Sequence, residues 1–125
     1  MPTDPLPRLR PLCLALPEAH EVLAWGEPTF RVRNKIFAIY ASPGTHHGAG
    51  RPAVWIKSTA TNQRFLIDAD PQRYFAPPYV GPIGWIGVWL DRRPRWREIA
   101  DLIHTGYCQR APKKLAALVA AADLG

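Results

Sequence analysis

The residue types that most often carry out catalysis do not stand at catalytic spacings in this 125-residue chain. It contains no glycine-rich phosphate loop, no His-Glu-x-x-His helix, no Gly-x-Ser-x-Gly turn and no Cys-x-x-Cys pair. Its serines, Ser42 and Ser58, lie outside any nucleophile motif, and its four histidines are too scattered to assign a triad. We therefore predict that the protein is not an enzyme.

The adjacent residues His46 and His47 are the strongest candidates for metal ligands. They lie in a glycine- and proline-rich loop at 42–52 without the two further ligands that a closed zinc site requires. We accordingly predict no metal and no cofactor. Cys13 and Cys108 fall in helical apolar patterns, so we expect small, reduced core residues rather than reactive or disulfide-bonded thiols.

Basic side chains are more informative than the catalytic residue types. Lysine and arginine total 16 against 10 acidic residues, which gives a net charge of +6. Such an excess favours phosphate-bearing partners, because binding releases condensed counterions. The alternative is a solvated, ion-paired surface that only reflects an arginine-rich composition. The side chains that we expect to contact nucleic acid lie on an early hairpin, near the strand at 54–57 and before the penultimate helix: Arg31, Arg33, Lys35, Arg51, Lys57, Arg92, Arg93 and Arg95.

Tryptophans offer a second type of chemistry. Trp55, Trp85 and Trp89 are placed to share one face of the predicted sheet. If exposed, they would stack on unpaired bases, at roughly 1–3 kcal/mol per base. If buried, they would form the core against helix residues such as Trp96. We favour the core interpretation.

The elements that must position these side chains can be read from the periodicity. Alternating apolar and polar residues, interrupted by turn residues, predict strands at 18–25, 29–32, 35–41, 54–57 and 84–90, with a tight turn at Arg33-Asn34. Helical spacing and proline or threonine starts predict helices from Leu6 to Leu16, after Thr59 or Thr61, from Asp70-Pro71 through Phe75, from Pro94 and from Pro112. In the last of these helices we expect Leu115, Leu118, Val119 and Ala122 to face inward.

This order of elements predicts the α+β class. Because the strands mostly follow one another through short turns, we expect one domain over 1–125, with a largely antiparallel sheet of about five strands and helices on one face. The longest apolar run, 115–122, is far too short to cross a bilayer, and the N-terminus has no secretory pattern. We therefore expect a soluble cytoplasmic protein.

Several segments together resemble the MmcQ/YjbR family. In chain order they are LCLALPEAHEVLAWGEPTFRVRNKIFAIYA at 12–41, VWIKS at 54–58, DPQRYFAPPYVGPIGWIGVWLD at 70–91 and APKKL at 111–115. The resemblance covers nearly the whole chain and implies a frataxin-like (CyaY-like) fold, which is often described as carrying a double-wing DNA-binding arrangement. It matches the basic residues of the hairpin and of the 54–57 strand, and it adds Lys113 and Lys114.

Three functions are compatible with these observations. The first, which we prefer, is a DNA-binding protein that contacts the phosphate backbone of double-stranded DNA through basic, wing-like hairpins, with a monomer favoured. The second is a module for protein–protein interaction or self-association through a sheet edge or an aromatic patch. The third is an unrecognised enzyme or small-molecule binder, which would be indicated by a deep pocket lined with tryptophan, tyrosine and titratable groups.

Overall fold

The computed structural model of the protein describes residues 4–44 and 50–124, and the side chains of the last helix as far as Val119. Within these ranges the chain forms four α-helices, one short 3-10 helix (Gly81–Ile83) and six strands. The helices are α1 (Leu6–Leu14), α2 (Ala60–Ala69), α3 (Trp96–Arg110) and α4 (Lys113–Leu124). The strands are β1 (His20–Ala24), β2 (Glu27–Val32), β3 (Lys35–Ala41), β4 (Ala53–Ile56), β5 (Tyr74–Phe75) and β6 (Ile86–Trp89).

The strands form one antiparallel sheet in the order β1-β2-β3-β4-β6-β5, which confirms the predicted α+β class. The turn between β2 and β3 is the predicted one. Arg33 and Asn34 both have positive φ angles, 49° and 65°, as a two-residue turn of the primed type requires. The first four strands are therefore a continuous meander.

The helix predicted from Asp70 through Phe75 is wrong. Residues 71–73 form a turn, and the next two residues, Tyr74 and Phe75, pair with Val88 and Gly87 as the edge strand β5. Pairing with β6 satisfies the backbone there and buries Tyr74. A tertiary contact has therefore overridden the local capping signal. The helix start predicted after Thr59 is confirmed, because the Thr59 hydroxyl accepts a hydrogen bond from the Asn62 N–H at 3.1 Å.

The main core lies between the sheet and helices α1, α3 and α4. Tyr107 of α3 is central to it. The ring of Tyr107 meets that of Phe37 edge-on at 5.4 Å, and its hydroxyl donates to the Pro17 carbonyl at 2.6 Å. Leu118 was expected in this core, but its side chain is 56% exposed, so that part of the α4 prediction is wrong. Ala122 lies outside the residues whose side chains are described.

A second apolar cluster lies on the sheet face away from these helices. Its buried members are Ile39, Ala41, Ala53, Trp55 and Trp85. The prediction that Trp55 and Trp85 are core residues is therefore confirmed, but the prediction that they pack against Trp96 is wrong, because Trp96 belongs to the helix-side cluster. The connection between β5 and β6 contributes Val80 to this cluster, so it covers part of this face.

Candidate ligand pocket and basic surfaces

A cavity of about 800 Å³ opens on the sheet face that the helices leave free. Its floor is made by Ile39 of β3, Trp55 of β4 and Trp85, which precedes β6. These three residues are at least nine-tenths buried. The floor is therefore formed by the packed sheet and does not depend on a ligand.

Three exposed apolar residues from two separate turns form the rim of this pocket. Trp25 lies in the turn between β1 and β2, whereas Tyr79 and Ile83 lie in the connection that leads to β6. They are 69%, 73% and 62% exposed, respectively. Large apolar side chains left in solvent around a concavity are a mark of a binding site.

A cation stands at one end of the pocket and a carboxylate at the other. Arg110, in the last turn of α3, lies over the Trp85 ring at 5.8 Å from its centroid and forms no ion pair with the described carboxylates. Glu27 begins β2 at the opposite end, where its Oε2 accepts the Ser42 N–H at 2.7 Å. The pocket is therefore apolar along its length and charged at its ends.

The sheet register divides the predicted nucleic-acid contacts into two groups. The turn between β2 and β3 lies at the same end of the sheet as the end of β4, the end of α3 and the start of α4, because Lys57 N–H donates to the Phe37 carbonyl and Gly106 closely approaches the Lys57 backbone. We call the cations at this end the hairpin-end surface: Arg31, Arg33, Lys35, Lys57, Lys113 and Lys114.

Most cations of the hairpin-end surface have no carboxylate partner among the described residues. The exception is Arg33, which donates two hydrogen bonds to Glu18 at 2.6 and 3.0 Å and so lowers the pKa of that carboxyl. Arg31 donates to the Thr29 hydroxyl instead. Burial and the charge of neighbouring Arg110 lower the pKa of the Lys57 amine, as expected where cations gather without acids.

The remaining predicted contacts, Arg51, Arg92, Arg93 and Arg95, lie at the other end of the sheet and form the far-end surface. Its cations are partly neutralised. Arg51 donates to both oxygens of Asp91, at 2.7 and 2.9 Å, and stacks on Trp89 at 4.1 Å; Arg95 approaches Glu98 to 3.5 Å. Since seven-residue β3 runs between the two ends, they are separated by about 20 Å.

Sequence reasoning missed the pocket, although it named some of its residues. Trp25 and Tyr79 precede or follow turn residues, at Trp25-Gly26 and Pro78-Tyr79, and large aromatic residues in such turns are a usable signal. No feature of the sequence identified Arg110 as a residue of a binding pocket. His46 and His47 lie outside the described residues. Within the described ranges no three histidine, cysteine or acidic side chains gather as a metal site would require, and no helix combines the length and apolarity needed to cross a membrane.

Comparison with known proteins places the chain in a family and gives a fold relative. The family model described as YjbR matches residues 14–109. The crystal structure of Deinococcus radiodurans protein DR2400, which has a DUF419 domain, superposes with a TM-score of 0.72 at 18% sequence identity, covering 87% of this chain and 80% of that one. No curated protein matches the sequence. Since the family model covers most of the chain, the protein belongs to the YjbR family.

Proposed function

We propose that the protein binds double-stranded DNA through the hairpin-end surface. The single observation that carries the proposal is the charge distribution: cations from β2, β3, the end of β4 and α4 meet at one end of the sheet, and among the described residues only Glu18 forms an ion pair with them. Three of these cations, Lys35, Lys113 and Lys114, are exposed and have no carboxylate partner among the described residues, so they can neutralise backbone phosphates with little loss of existing interactions. The far-end surface is less suitable because two of its four arginines, Arg51 and Arg95, already pair with Asp91 and Glu98.

The proposed contact has no base readout. Phosphate contacts fix position on the duplex without conveying sequence, so we expect binding that is nearly independent of base order and strongly dependent on salt. If all six cations reach phosphates, the logarithmic salt slope is about −5, and affinity falls about 10³-fold between 50 and 200 mM salt.

A fluorescence anisotropy titration of a labelled duplex at two salt concentrations tests this proposal. The test variant replaces three exposed hairpin-end cations by glutamine, at Lys35, Lys113 and Lys114. The matched control makes the same change in net charge at Arg92 and Arg93 of the far-end surface and at Arg97, an exposed residue beside them in the first turn of α3. We expect the test variant to have about half the wild-type salt slope, so that its affinity falls only about 40-fold between 50 and 200 mM salt. We expect the control variant to retain most of the wild-type salt slope.

Two results would contradict the proposal. Absence of salt-sensitive binding at 50 mM salt would exclude DNA as a partner. Equal losses of DNA affinity in both variants would show that binding is not confined to the hairpin-end surface and depends only on the net charge of the protein. Light scattering on the same samples tests the remaining alternative, a self-associating module, which requires a mass above that of the 14.0 kDa monomer without DNA.

A further inference from the structure

We infer that the pocket on the free sheet face binds a small planar aromatic anion, such as an aromatic carboxylate, sulfonate or phosphate ester. This inference does not depend on the DNA-binding proposal, because its donors, Arg110 and Trp85, are not among the six hairpin-end cations and its aromatic floor lies on the sheet face that the helices leave free. Three properties of the pocket carry it: its size, its aromatic walls and the unpaired donors at one end.

The size suits one small molecule. Ligand sites commonly measure about 300–1,000 Å³, and this cavity of about 800 Å³ falls within that range. Its floor is preformed, because Trp55 and Trp85 are 3% and 2% exposed and lie in a packed cluster. Binding therefore needs little reordering of the floor, which reduces the entropic cost of association.

Aromatic side chains specify a planar ligand. Trp55 and Trp85 lie on the floor, and Trp25 and Tyr79 stand at the rim on opposite sides. Aromatic groups stack or meet edge-to-face with other rings and gain about 0.5–1.5 kcal/mol beyond the area that they bury. Four such residues around one cavity favour a flat aromatic ligand over a branched aliphatic one.

Two hydrogen-bond donors without acceptors specify a negative group at the hairpin end of the pocket. Among the described residues, the buried Nε of Arg110 has no hydrogen-bond partner and its guanidinium has no carboxylate partner. The indole Nε1 of Trp85, whose ring lies below that guanidinium, is also buried and has no acceptor within the described part of the chain. An acid group placed here would receive charge-assisted hydrogen bonds that the protein itself does not make.

The carboxylate at the other end gives the ligand a direction. Glu27 is 1% exposed and holds the Ser42 N–H, and it lies where β2 begins, away from the end of α3. A negative group near Glu27 would be repelled, whereas one near Arg110 is attracted. The acid group of the ligand therefore points towards Arg110 and its apolar rings lie over the floor.

Two fluorescent probes with the same aromatic frame test this inference. Anilinonaphthalene sulfonate carries a negative group, and phenylnaphthylamine lacks it. We expect both to bind the wild-type protein with one site per chain. Arg110→Gln should weaken the sulfonate about tenfold and leave the uncharged probe within twofold. Tyr79→Ala should weaken both, because it removes a rim ring that contacts the aromatic frame.

The matched control is Arg64→Gln, which removes the same charge from an exposed position on α2 outside the pocket. This substitution should leave the affinities for both the sulfonate and the uncharged probe unchanged. If Arg110→Gln and Arg64→Gln weaken sulfonate binding equally, the assignment of the anion site to Arg110 is wrong. If several sulfonate molecules bind per chain, the assignment of one binding pocket is wrong. If light scattering shows a dimer that excludes both probes and Tyr79→Ala returns it to a monomer, the pocket is a contact between copies and the inference is wrong.

Discussion

Gly106 provides a sharp test of how closely α3 packs on the sheet. Gly106 is buried on the face of α3 that packs against the sheet, between Ile103 and Tyr107. A Cβ at this position would stand 2.6 Å from the Lys57 carbonyl oxygen and 2.9 Å from Cγ2 of Ile56. The obstacle is mainly backbone, and Lys57 is fixed in the sheet by its hydrogen bond to Phe37.

Two effects of opposite sign compete in Gly106→Ala. Alanine is the better helix former by about 1 kcal/mol, which favours the variant. Overpacking of a well-filled interior costs about 1–3 kcal/mol, and here the cost lies at the upper end because the clash is with backbone that is held beside β3 by the Lys57–Phe37 hydrogen bond. We therefore expect Gly106→Ala to lower the free energy of unfolding by about 1–2 kcal/mol, which corresponds to a Tm lower by about 3–10 °C for a chain of this size.

Urea unfolding followed by circular dichroism measures this difference. The neighbouring position supplies the matched control, because Thr105 is exposed on the same turn. Thr105→Ala should be about 1 kcal/mol more stable than Thr105→Gly, which gives the helix-propensity effect without the clash. If Gly106→Ala is as stable as the wild type or more stable, the Cβ has room and α3 does not approach β4 as described.

Three further predictions follow from other contacts of the described residues. Tyr107→Phe removes the hydrogen bond to the Pro17 carbonyl and should lower the free energy of unfolding by about 1 kcal/mol in a denaturant titration, with little change in the main core. Burial raises the pKa of the Cys13 thiol, so Cys13 should stay unmodified by a thiol reagent at pH 8 until the chain unfolds, as peptide mapping would show; rapid native modification would contradict its burial. Hydrogen bonding from Arg51 lowers the pKa of Asp91, so the pair stabilises the fold above the unfolded pKa of ~4 and loses this effect as pH falls through the lowered value. The stability gap between wild type and Arg51→Gln should therefore be largest at pH 7, with about 1 kcal/mol or less due to the ion pair, and should shrink in acid to the part due to stacking on Trp89; a gap of the same size at both pH values would refute the ion-pair account.

Local signals in the sequence were sufficient for much of the fold. The turn at Arg33-Asn34 could be predicted because it joins two alternating segments and the φ preference of asparagine suits it. The start of α2 could be predicted because the Thr59 cap acts within one turn. β5 could not, because a two-residue strand exists only through its pairing with β6, which comes later in the chain.

The candidate sites were harder to predict, since they depend on which elements meet. The basic residues could be named individually, but their division into two ends follows only from the register that places the end of β4 beside the start of β3. The pocket brings together Trp25, Trp55, Tyr79 and Arg110, which are far apart in the chain. Their shared location depends on side-chain direction in β4 and on the path of the β5–β6 connection, and neither has a local sequence signal.

The construction of the pocket also has a consequence for the order of folding. Its floor includes β3 and β4, which belong to the meander of neighbouring strands, whereas Tyr79, Val80 and Ile83 belong to the excursion that separates β4 from β6. Hairpins close quickly, but the β4–β6 pairing must wait for a long loop to close. We expect the meander to assemble first and the pocket to be completed last. A pocket ligand would then recognise only the fully assembled chain, and its binding would act as a reporter of the final folding step while shifting the unfolding equilibrium by mass action.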